Sequence, residues 1–216
     1  MRIALIHALA HSLAPIEDAF ARLWPEVRRT NLLDDSLSAD LARDGVLTPA
    51  MTARFLALAR YAAGTGADGI LFTCSAFGPC IDACAAALAP LPVLKPNEAM
   101  IEEAVALAGP TGRIGLVASF APTLASMPGE FAAAAAGITL VPCLAEGSLA
   151  ALDRGDGELH DRLAGLAAAG LRDCDAVALS QFSLARAADV VAAATGRPVL
   201  STPDSAVRKL RRLLER

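Results

Sequence analysis

The chain of 216 residues contains an internal repeat, and this repeat is the feature that most limits its possible folds. Residues 2–14 (RIALIHALAHSLA) resemble residues 113–125 (RIGLVASFAPTLA). Further along each half, and in the same order, residues 67–77 (ADGILFTCSAF) resemble residues 174–184 (CDAVALSQFSL). The chain therefore reads as two copies of one unit. In this alignment Cys74 corresponds to Gln181, so the two copies differ in chemistry by one thiol.

Apolar runs of strand length alternate with longer stretches of helical periodicity, which is the pattern of a parallel sheet covered by helices. Gly or Pro stands at nearly every junction. The predicted strands are 2–7, 69–73, 93–94, 113–118, 139–141, 176–179 and 199–200. The predicted helices are 16–23, 49–64, 81–89, 96–108, 122–136, 159–171 and 184–195, with an amphipathic terminal helix at 208–216. We predict an α/β fold of two pseudo-symmetric, doubly wound lobes with parallel sheets.

The lobe boundary is predicted near residue 95, because a strand ends there and the helix leading into the second copy begins. The first lobe covers residues 1–95 and the second covers residues 96–198. Residues 199–216 follow the completed second copy, so we expect them to return to the first lobe.

Composition excludes several classes of protein. No run approaches the roughly 18 uninterrupted apolar residues that a membrane span needs. The formal net charge of −4, with both signs interspersed, makes nucleic acid an unexpected partner. Five irregularly spaced cysteines argue against a disulfide framework. We expect a soluble cytoplasmic protein with no membrane partner, which could form a homo-oligomer through its alanine-rich helices.

The loops after four predicted strands are rich in hydroxyl side chains, and ligands of parallel sheets bind where such loops converge. Backbone N–H groups and hydroxyls are the donors that a carboxylate needs, so we expect a small anionic substrate. The candidate binding residues in these loops are Ser12, Thr73, Ser75, Ser119, Thr123, Ser180 and Ser183.

Cys74 follows the strand at 69–73 and precedes a helix, whose dipole could lower the pKa of the thiol and make it reactive. The alternative is a buried, inert cysteine. The other cysteines are interpreted as core residues, namely Cys80, Cys84, Cys143 and Cys174.

The histidines suggest no metal site, because His7 and His11 lack the helical context that would put both rings on one face. A substrate-facing role for His11 or Ser12 fits better, and His160 is expected on the surface.

Cofactor motifs are lacking in the sequence. Residues 64–69 (GTGADG) match the glycine spacing of a dinucleotide-binding loop, but they follow a helix and precede a strand, which is the wrong order. We find no phosphate-binding loop and no G-x-S-x-G or H-E-x-x-H motif. The sequence therefore predicts thiol chemistry without a cofactor.

The chain resembles the aspartate/glutamate/hydantoin racemase superfamily, which includes arylmalonate decarboxylases and maleate isomerases. The resemblance lies in the paired lobes and in residues 71–79 (LFTCSAFGP), 96–100 (PNEAM), 113–119 with Thr123, and 178–185 (ALSQFSLA). It implies two α/β lobes with the active site in the cleft between them, no cofactor, and substrate carboxylates held by loop amides and hydroxyls. Racemases of this family use two cysteines on opposite faces of the substrate. Cys74 matches the first, but Gln181 stands where the second is expected, and an amide cannot act as acid or base near neutral pH.

The resemblance leaves three functions open. The first is a racemase-like isomerase acting on a small carboxylate or amino-acid-like substrate, with Cys74 as acid, base or nucleophile. The second is an arylmalonate decarboxylase-like lyase in which Cys74 protonates the enediolate; known decarboxylases of the family keep the other cysteine, so the proton would arrive from the opposite side. Gln181 would donate to a carboxylate or carbonyl in either case. The third is a carboxylate-binding protein without activity.

Overall fold

Two four-stranded parallel sheets, each packed against helices, organise the chain. The structure is a computed structural model and describes residues 1–215. It divides into two units: the first comprises Met1–Pro96 and the chain from Ala206 onward, and the second comprises Asn97–Ser205. Within the described residues, none of the helices is both long and apolar enough to cross a membrane.

The first unit contains strands β1 to β4 and helices α1 to α4. The strands are β1 (Arg2–His7), β2 (Arg28–Leu33), β3 (Gly69–Phe72) and β4 (Val93–Leu94). The helices are α1 (Leu13–Leu23), α2 (Ser36–Asp44), α3 (Pro49–Gly64) and α4 (Gly78–Leu88). Short 3₁₀ helices at Ala10–Ser12 and Ser75–Phe77 follow β1 and β3.

The second unit repeats this plan. Its strands are β5 (Arg113–Ala118), β6 (Thr139–Leu144), β7 (Ala176–Leu179) and β8 (Val199–Ser201). Its helices are α5 (Glu98–Ala108), α6 (Ala121–Ala134), α7 (Ser148–Asp153), α8 (Gly157–Ala168) and α9 (Ala188–Thr195). 3₁₀ helices occupy Ala169–Leu171 and Phe182–Ala187, and α10 (Thr202–Leu214) closes the chain.

The two sheets have the same strand order, β2-β1-β3-β4 in one and β6-β5-β7-β8 in the other, and all their pairings are parallel. The repeated sequences form the two central strands of each sheet, which are almost wholly buried. Strands buried on both faces read as continuous apolar runs, which is why these four were visible in the sequence. The predicted α/β class with two parallel-sheet lobes is confirmed.

The expected return of residues 199–216 to the first lobe is wrong for the strand. β8 pairs with β7 in the second sheet, with Val177 opposite Val199 and Leu179 opposite Ser201. The physical reason is that β7 has a free edge on the side away from β5, and β8 pairs with this edge. In the first sheet, β4 pairs with β3 in the same way. Only the residues from Ala206 belong to the first unit.

One strand, β2, was missed from the sequence. It is an edge strand that pairs only with β1, and its residues are exposed or half-buried. An edge strand needs no continuous apolar run, so its polar composition carries little strand signal.

An aromatic cluster of three phenylalanines fills the core of the first unit around β3. Phe55 of α3 stacks on Phe72 with ring centroids 5.2 Å apart, and it packs against Phe77 at 4.8 Å. All three side chains are nearly inaccessible to solvent. Helix α3 is thereby anchored beneath the end of β3, next to Cys74.

Candidate functional site

The end of β3 presents Cys74 through a local change of backbone conformation. Strand β3 is completely buried, and Cys74 follows it in an extended conformation before the 3₁₀ turn at Ser75–Phe77. Helix α4 begins directly afterwards at Gly78. The thiol is free and half-buried. Thus the predicted location, a strand end before a helix, holds for Cys74.

The expected lowering of the Cys74 pKa is wrong. Burial raises the pKa of this thiol above its ordinary value, and the backbone N–H of Ala76 opposes the rise only in part. The surrounding space is apolar, since Cys74 shares it with Ile6, Leu37 and Phe55. Desolvation of the charged thiolate therefore outweighs the donor from the following turn. Cys74 is a protonated thiol at neutral pH.

Two of the hydroxyl groups near Cys74 in the chain form hydrogen bonds with other groups of the protein. Thr73 is buried, and its Oγ1 lies 2.9 Å from Nδ1 of His7. Ser12 is also buried, and its Oγ donates to the Thr73 carbonyl oxygen at 3.5 Å. Ser75 is half-buried and directly follows Cys74. Thr73 and Ser12 therefore shape the turn, while the role of Ser75 in binding stays a prediction.

His7 is the residue that sequence reasoning undervalued. It ends β1, is completely buried, and uses both ring nitrogens, with Nε2 lying 2.9 Å from Oδ1 of Asn31. Burial lowers the pKa of His7, against smaller opposing effects of Asn31 and Glu17. A signal was available in the sequence: the predicted strands 2–7 and 69–73 end at His7 and Thr73, and the carboxyl ends of neighbouring parallel strands meet at one edge of a sheet.

In the second unit, Gln181 occupies the position after β7 that Cys74 occupies after β3. Its Oε1 accepts hydrogen bonds from the backbone N–H of Ser119 at 2.6 Å and from the Ser119 hydroxyl at 2.9 Å. Because its oxygen is held in this way, Gln181 is left with the N–H donors of its amide to offer a ligand. Ser119 was expected to bind substrate directly, but both of its donors are directed at Gln181.

The other hydroxyls of the second unit differ in role. Ser180 is completely buried and donates to the Val117 carbonyl oxygen at 2.8 Å, which is a structural bond between adjacent strands. Thr123 lies in the first turn of α6, and Ser183 lies in the 3₁₀ helix after Gln181. Both are mostly buried, at 7% and 9% exposure.

The remaining histidines and cysteines differ in how far they are buried. His11 is exposed. His160 was expected on the surface, but it is completely buried with Nδ1 2.8 Å from Asp161, because its helix turns that face toward the core. Cys80 and Cys84 are buried in α4 as expected. Across residues 1–215, no group of three or more His, Cys, Asp or Glu side chains is arranged to hold a metal ion.

Solved structures with the same fold include racemases and a decarboxylase. Allantoin racemase from Klebsiella pneumoniae superposes with a TM-score of 0.74 at 18% identity, covering 100% of this chain and 88% of that one. Aspartate racemase from Picrophilus torridus gives 0.74 at 13% identity, with coverages of 99% and 94%. A mutant of arylmalonate decarboxylase in its sulfate-associated form gives 0.69 at 21% identity, with coverages of 100% and 94%. At these identities the likeness establishes the fold.

Sequence comparison identifies the family. No curated protein sequence matches the chain. The model of the Asp/Glu/hydantoin racemase family, however, matches residues 14–210, which include the aligned segments 67–77 and 174–184 that carry Cys74 and Gln181. With this match over most of its length, the chain belongs to the Asp/Glu/hydantoin racemase family.

Proposed function

We propose that the protein is a cofactor-independent enzyme that acts on a small carboxylate through the single thiol of Cys74. One observation carries this proposal: a half-buried thiol lies two residues after β3, while Gln181 lies at the corresponding position after β7 of the second unit. The Gln181 oxygen is held by Ser119, and an amide neither gives nor takes a proton near neutral pH. A thiol at one of these positions and an amide at the other favour a reaction that needs one thiol over racemisation, which needs two.

Proton donation is the role that suits Cys74 best, because burial keeps its thiol protonated. In a decarboxylase-like reaction, the carbon–carbon bond to one carboxylate breaks, carbon dioxide leaves, and the electron pair remains as an enediolate. The S–H bond of Cys74 then breaks and its proton goes to the α-carbon. The resulting thiolate recovers a proton from water. The structural likeness to arylmalonate decarboxylase supports this reading.

A racemase-like isomerase is the second candidate, and the family match together with the two racemase structures favours it. In that reaction the Cys74 thiolate adds to an activated double bond, the bond rotates, and the thiolate leaves. This route requires the thiolate, which the raised pKa of Cys74 makes scarce at neutral pH.

Donors for the substrate carboxylate come from hydroxyl and amide groups in this proposal. In the first unit, Ser75 directly follows the thiol in the chain. In the second unit, described by itself, Gln181 offers amide N–H groups, and Thr123 in the first turn of α6 and Ser183 after β7 are the predicted hydroxyl donors. Hydrogen bonds to an enediolate oxygen strengthen as charge develops there, so these donors would stabilise the transition state as well as bind substrate.

Proton NMR in deuterium oxide tests the proposal. The wild-type protein is incubated with substituted malonates, maleate, amino acids and hydantoins, and Cys74→Ser and Cys143→Ser are run beside it. Cys143 is a half-buried cysteine of the second unit and serves as the matched control. We expect turnover of a carboxylate that falls by about 10²- to 10⁴-fold in Cys74→Ser, as for loss of a general acid, and is kept in Cys143→Ser.

The products separate the candidates. Loss of a carboxylate with deuterium at the α-carbon identifies the lyase, whereas cis–trans conversion identifies the isomerase. Thermal stabilisation by one of these ligands without any turnover would contradict the proposal and indicate a carboxylate-binding protein. Turnover that survives in Cys74→Ser would contradict the assigned role of the thiol.

A further inference from the structure

A groove lies between α8 and α9 on the surface of the second unit. Its volume is about 460 Å³, and its apolar lining comprises Leu166 and Ala169 from α8 and the turn after it, and Val190 and Ala194 from α9. The two helices approach each other closely, since a Cβ added at Gly165 would lie 2.6 Å from Cγ1 of Val190. The packing of the two helices therefore sets the shape of the groove.

The apolar side chains of the groove are exposed to solvent. Leu166 is 67% exposed, which is the largest value among the large apolar side chains of residues 1–215, and Val190 is 41% exposed. Contact with another apolar surface would remove both side chains from water, which is favourable. Neighbouring exposed apolar side chains of this kind are typical of a binding surface.

The two ends of the groove carry opposite charges. Glu158 lies in the first turn of α8, and Arg172 follows the 3₁₀ helix Ala169–Leu171 that extends α8. Both line the groove, and each is seven residues from Gly165. Arg172 Nε donates to the Ala194 carbonyl oxygen at 3.2 Å, which holds its side chain against α9. A negative and a positive group are therefore placed evenly about the middle of one apolar strip.

The other two charged residues of the groove also differ in sign. Arg162 is exposed one turn after Glu158, while Asp161 is paired with Arg186 at 2.8 Å. A membrane surface with anionic lipids selects clusters of basic residues, so this mixture of charges fits it poorly. A surface that carries both signs evenly about its centre is, in contrast, complementary to itself.

A second copy of the chain, related by a two-fold axis near Gly165, would place its α8 antiparallel to α8 of the first copy. In that arrangement Glu158 of each copy faces Arg172 of the other, so that two ion pairs form at once. Leu166 of each copy lies over the groove of the other, where it meets Val190. Most dimers use the same surface of both copies in this way, and an apolar centre with a polar rim is the usual anatomy of an interface.

We propose that the groove between α8 and α9 is the interface of a homodimer, in which two α8 helices pair in antiparallel orientation through Leu166, Val190 and the Glu158–Arg172 ion pairs. None of the residues that line the groove is a candidate for catalysis or substrate binding. The proposal therefore stands independently of the proposed function, which is judged by Cys74-dependent turnover.

Sedimentation velocity of the full chain over a range of concentrations measures the dimer. Wild type is compared with Glu158→Arg, with Arg172→Glu, and with an equimolar mixture of these two variants. Glu146→Arg is the matched control, because it makes the same charge change at an exposed residue of the second unit outside the groove. Circular dichroism shows whether each variant is folded.

We expect wild type and Glu146→Arg to dimerise with similar dissociation constants. In Glu158→Arg or Arg172→Glu alone, like charges meet at both ends of the interface, so the dissociation constant should rise by about tenfold or more. In the mixture, the two altered side chains have opposite charges, and so do the two unaltered ones. The mixed dimer should therefore form more tightly than either variant pairs with itself.

Wild type that remains monomeric up to about 1 mM overturns the proposal. A folded Glu158→Arg that dimerises as tightly as wild type overturns it as well, and so does equal weakening in Glu146→Arg. A mixture that associates no better than the separate variants overturns the antiparallel pairing.

A further variant covers the case in which Arg172→Glu does not fold. Leu166→Glu places a carboxylate in the apolar centre of the interface, where its desolvation should raise the dissociation constant by about tenfold or more. Dimerisation of Leu166→Glu with the wild-type dissociation constant would contradict the proposal.

Discussion

At the scale of single residues, burial rather than sequence position sets the chemistry of the cysteines. Cys74 stands before a helix, an arrangement that lowers thiol pKa values when the sulfur is exposed to the helix terminus. Here the apolar walls around it raise the pKa instead. Burial likewise raises the pKa of Cys143 and Cys174. A protonated thiol is thus the resting state that the environment favours at each of these positions.

Cys84 gives a pH prediction at this scale. Burial raises its pKa from 9.0 to about 11, so the unfolded chain loses this proton at lower pH than the native protein does. The protonated thiol of the native protein makes its full contribution to the free energy of unfolding below pH 9, and this contribution is lost as the pH rises toward 11. By linkage, the contribution that is lost is at most about 2 to 3 kcal/mol.

Urea unfolding of wild type and Cys84→Ala at pH 7, 9 and 11 measures this effect. The variant should be less stable at pH 7 by a fixed packing loss, and the difference should shrink or reverse at pH 11. Other groups titrate in both proteins and cancel in the comparison. A difference that stays constant with pH would show that Cys84 ionises alike in the native and unfolded states.

At the scale of elements, α3 is fastened to the sheet by Phe55. Its ring packs on Phe72 and Phe77, directly below the turn that carries Cys74. Tyr61, on the same helix, is 63% exposed. The two aromatic residues of one helix therefore offer a matched test of what the aromatic core contributes to stability.

Phe55→Ala should lower the free energy of unfolding by about 3 to 5 kcal/mol, since it removes a buried ring and leaves a cavity. Tyr61→Ala should change it by less than about 1 kcal/mol. Urea unfolding followed by circular dichroism gives both values. Equal losses in the two variants would mean that the aromatic cluster does not anchor α3.

At the scale of the whole molecule, the chain forms a four-stranded sheet of the same strand order twice, and most of α10, from Ala206 onward, then belongs to the first unit. Ala206, Val207 and Leu210 of α10 are completely buried. The side chains of Leu210 and Leu214 lie close enough to Gly69 of β3 that a Cβ there would touch them at 3.3 to 3.4 Å. Arg211 also donates to the Leu23 carbonyl oxygen at the end of α1. The C-terminal helix therefore completes the core of the first unit.

Leu210→Ala should destabilise the first unit by about 2 to 5 kcal/mol through cavity formation. Hydrogen exchange followed by mass spectrometry should show faster exchange in β1 and β3 than in β5 and β7. Leu107→Ala, the same substitution at a residue 55% exposed on α5, is the control and should leave exchange near the wild-type pattern. Loss of protection spread evenly over both sheets would contradict the assignment of α10 to the first unit.

The sequence by itself determined the repeat, the α/β class and most helices and strands, because buried parallel strands and amphipathic helices carry strong apolar patterns. It also singled out Cys74 and Gln181, since both lie in the aligned segments. The sequence did not predict edge strand β2 or the pairing partner of β8, because edge strands and three-residue strands carry little hydrophobic pattern of their own.

Only the tertiary structure decided what the polar side chains do. The hydroxyl of Ser180 bonds to a neighbouring strand, and the donors of Ser119 are directed at Gln181. His7 meets Asn31 and Thr73 from separate strands, and apolar side chains from several elements enclose Cys74. Hydrogen-bond partners and desolvation arise from contacts between residues far apart in the chain, so local sequence patterns do not contain them.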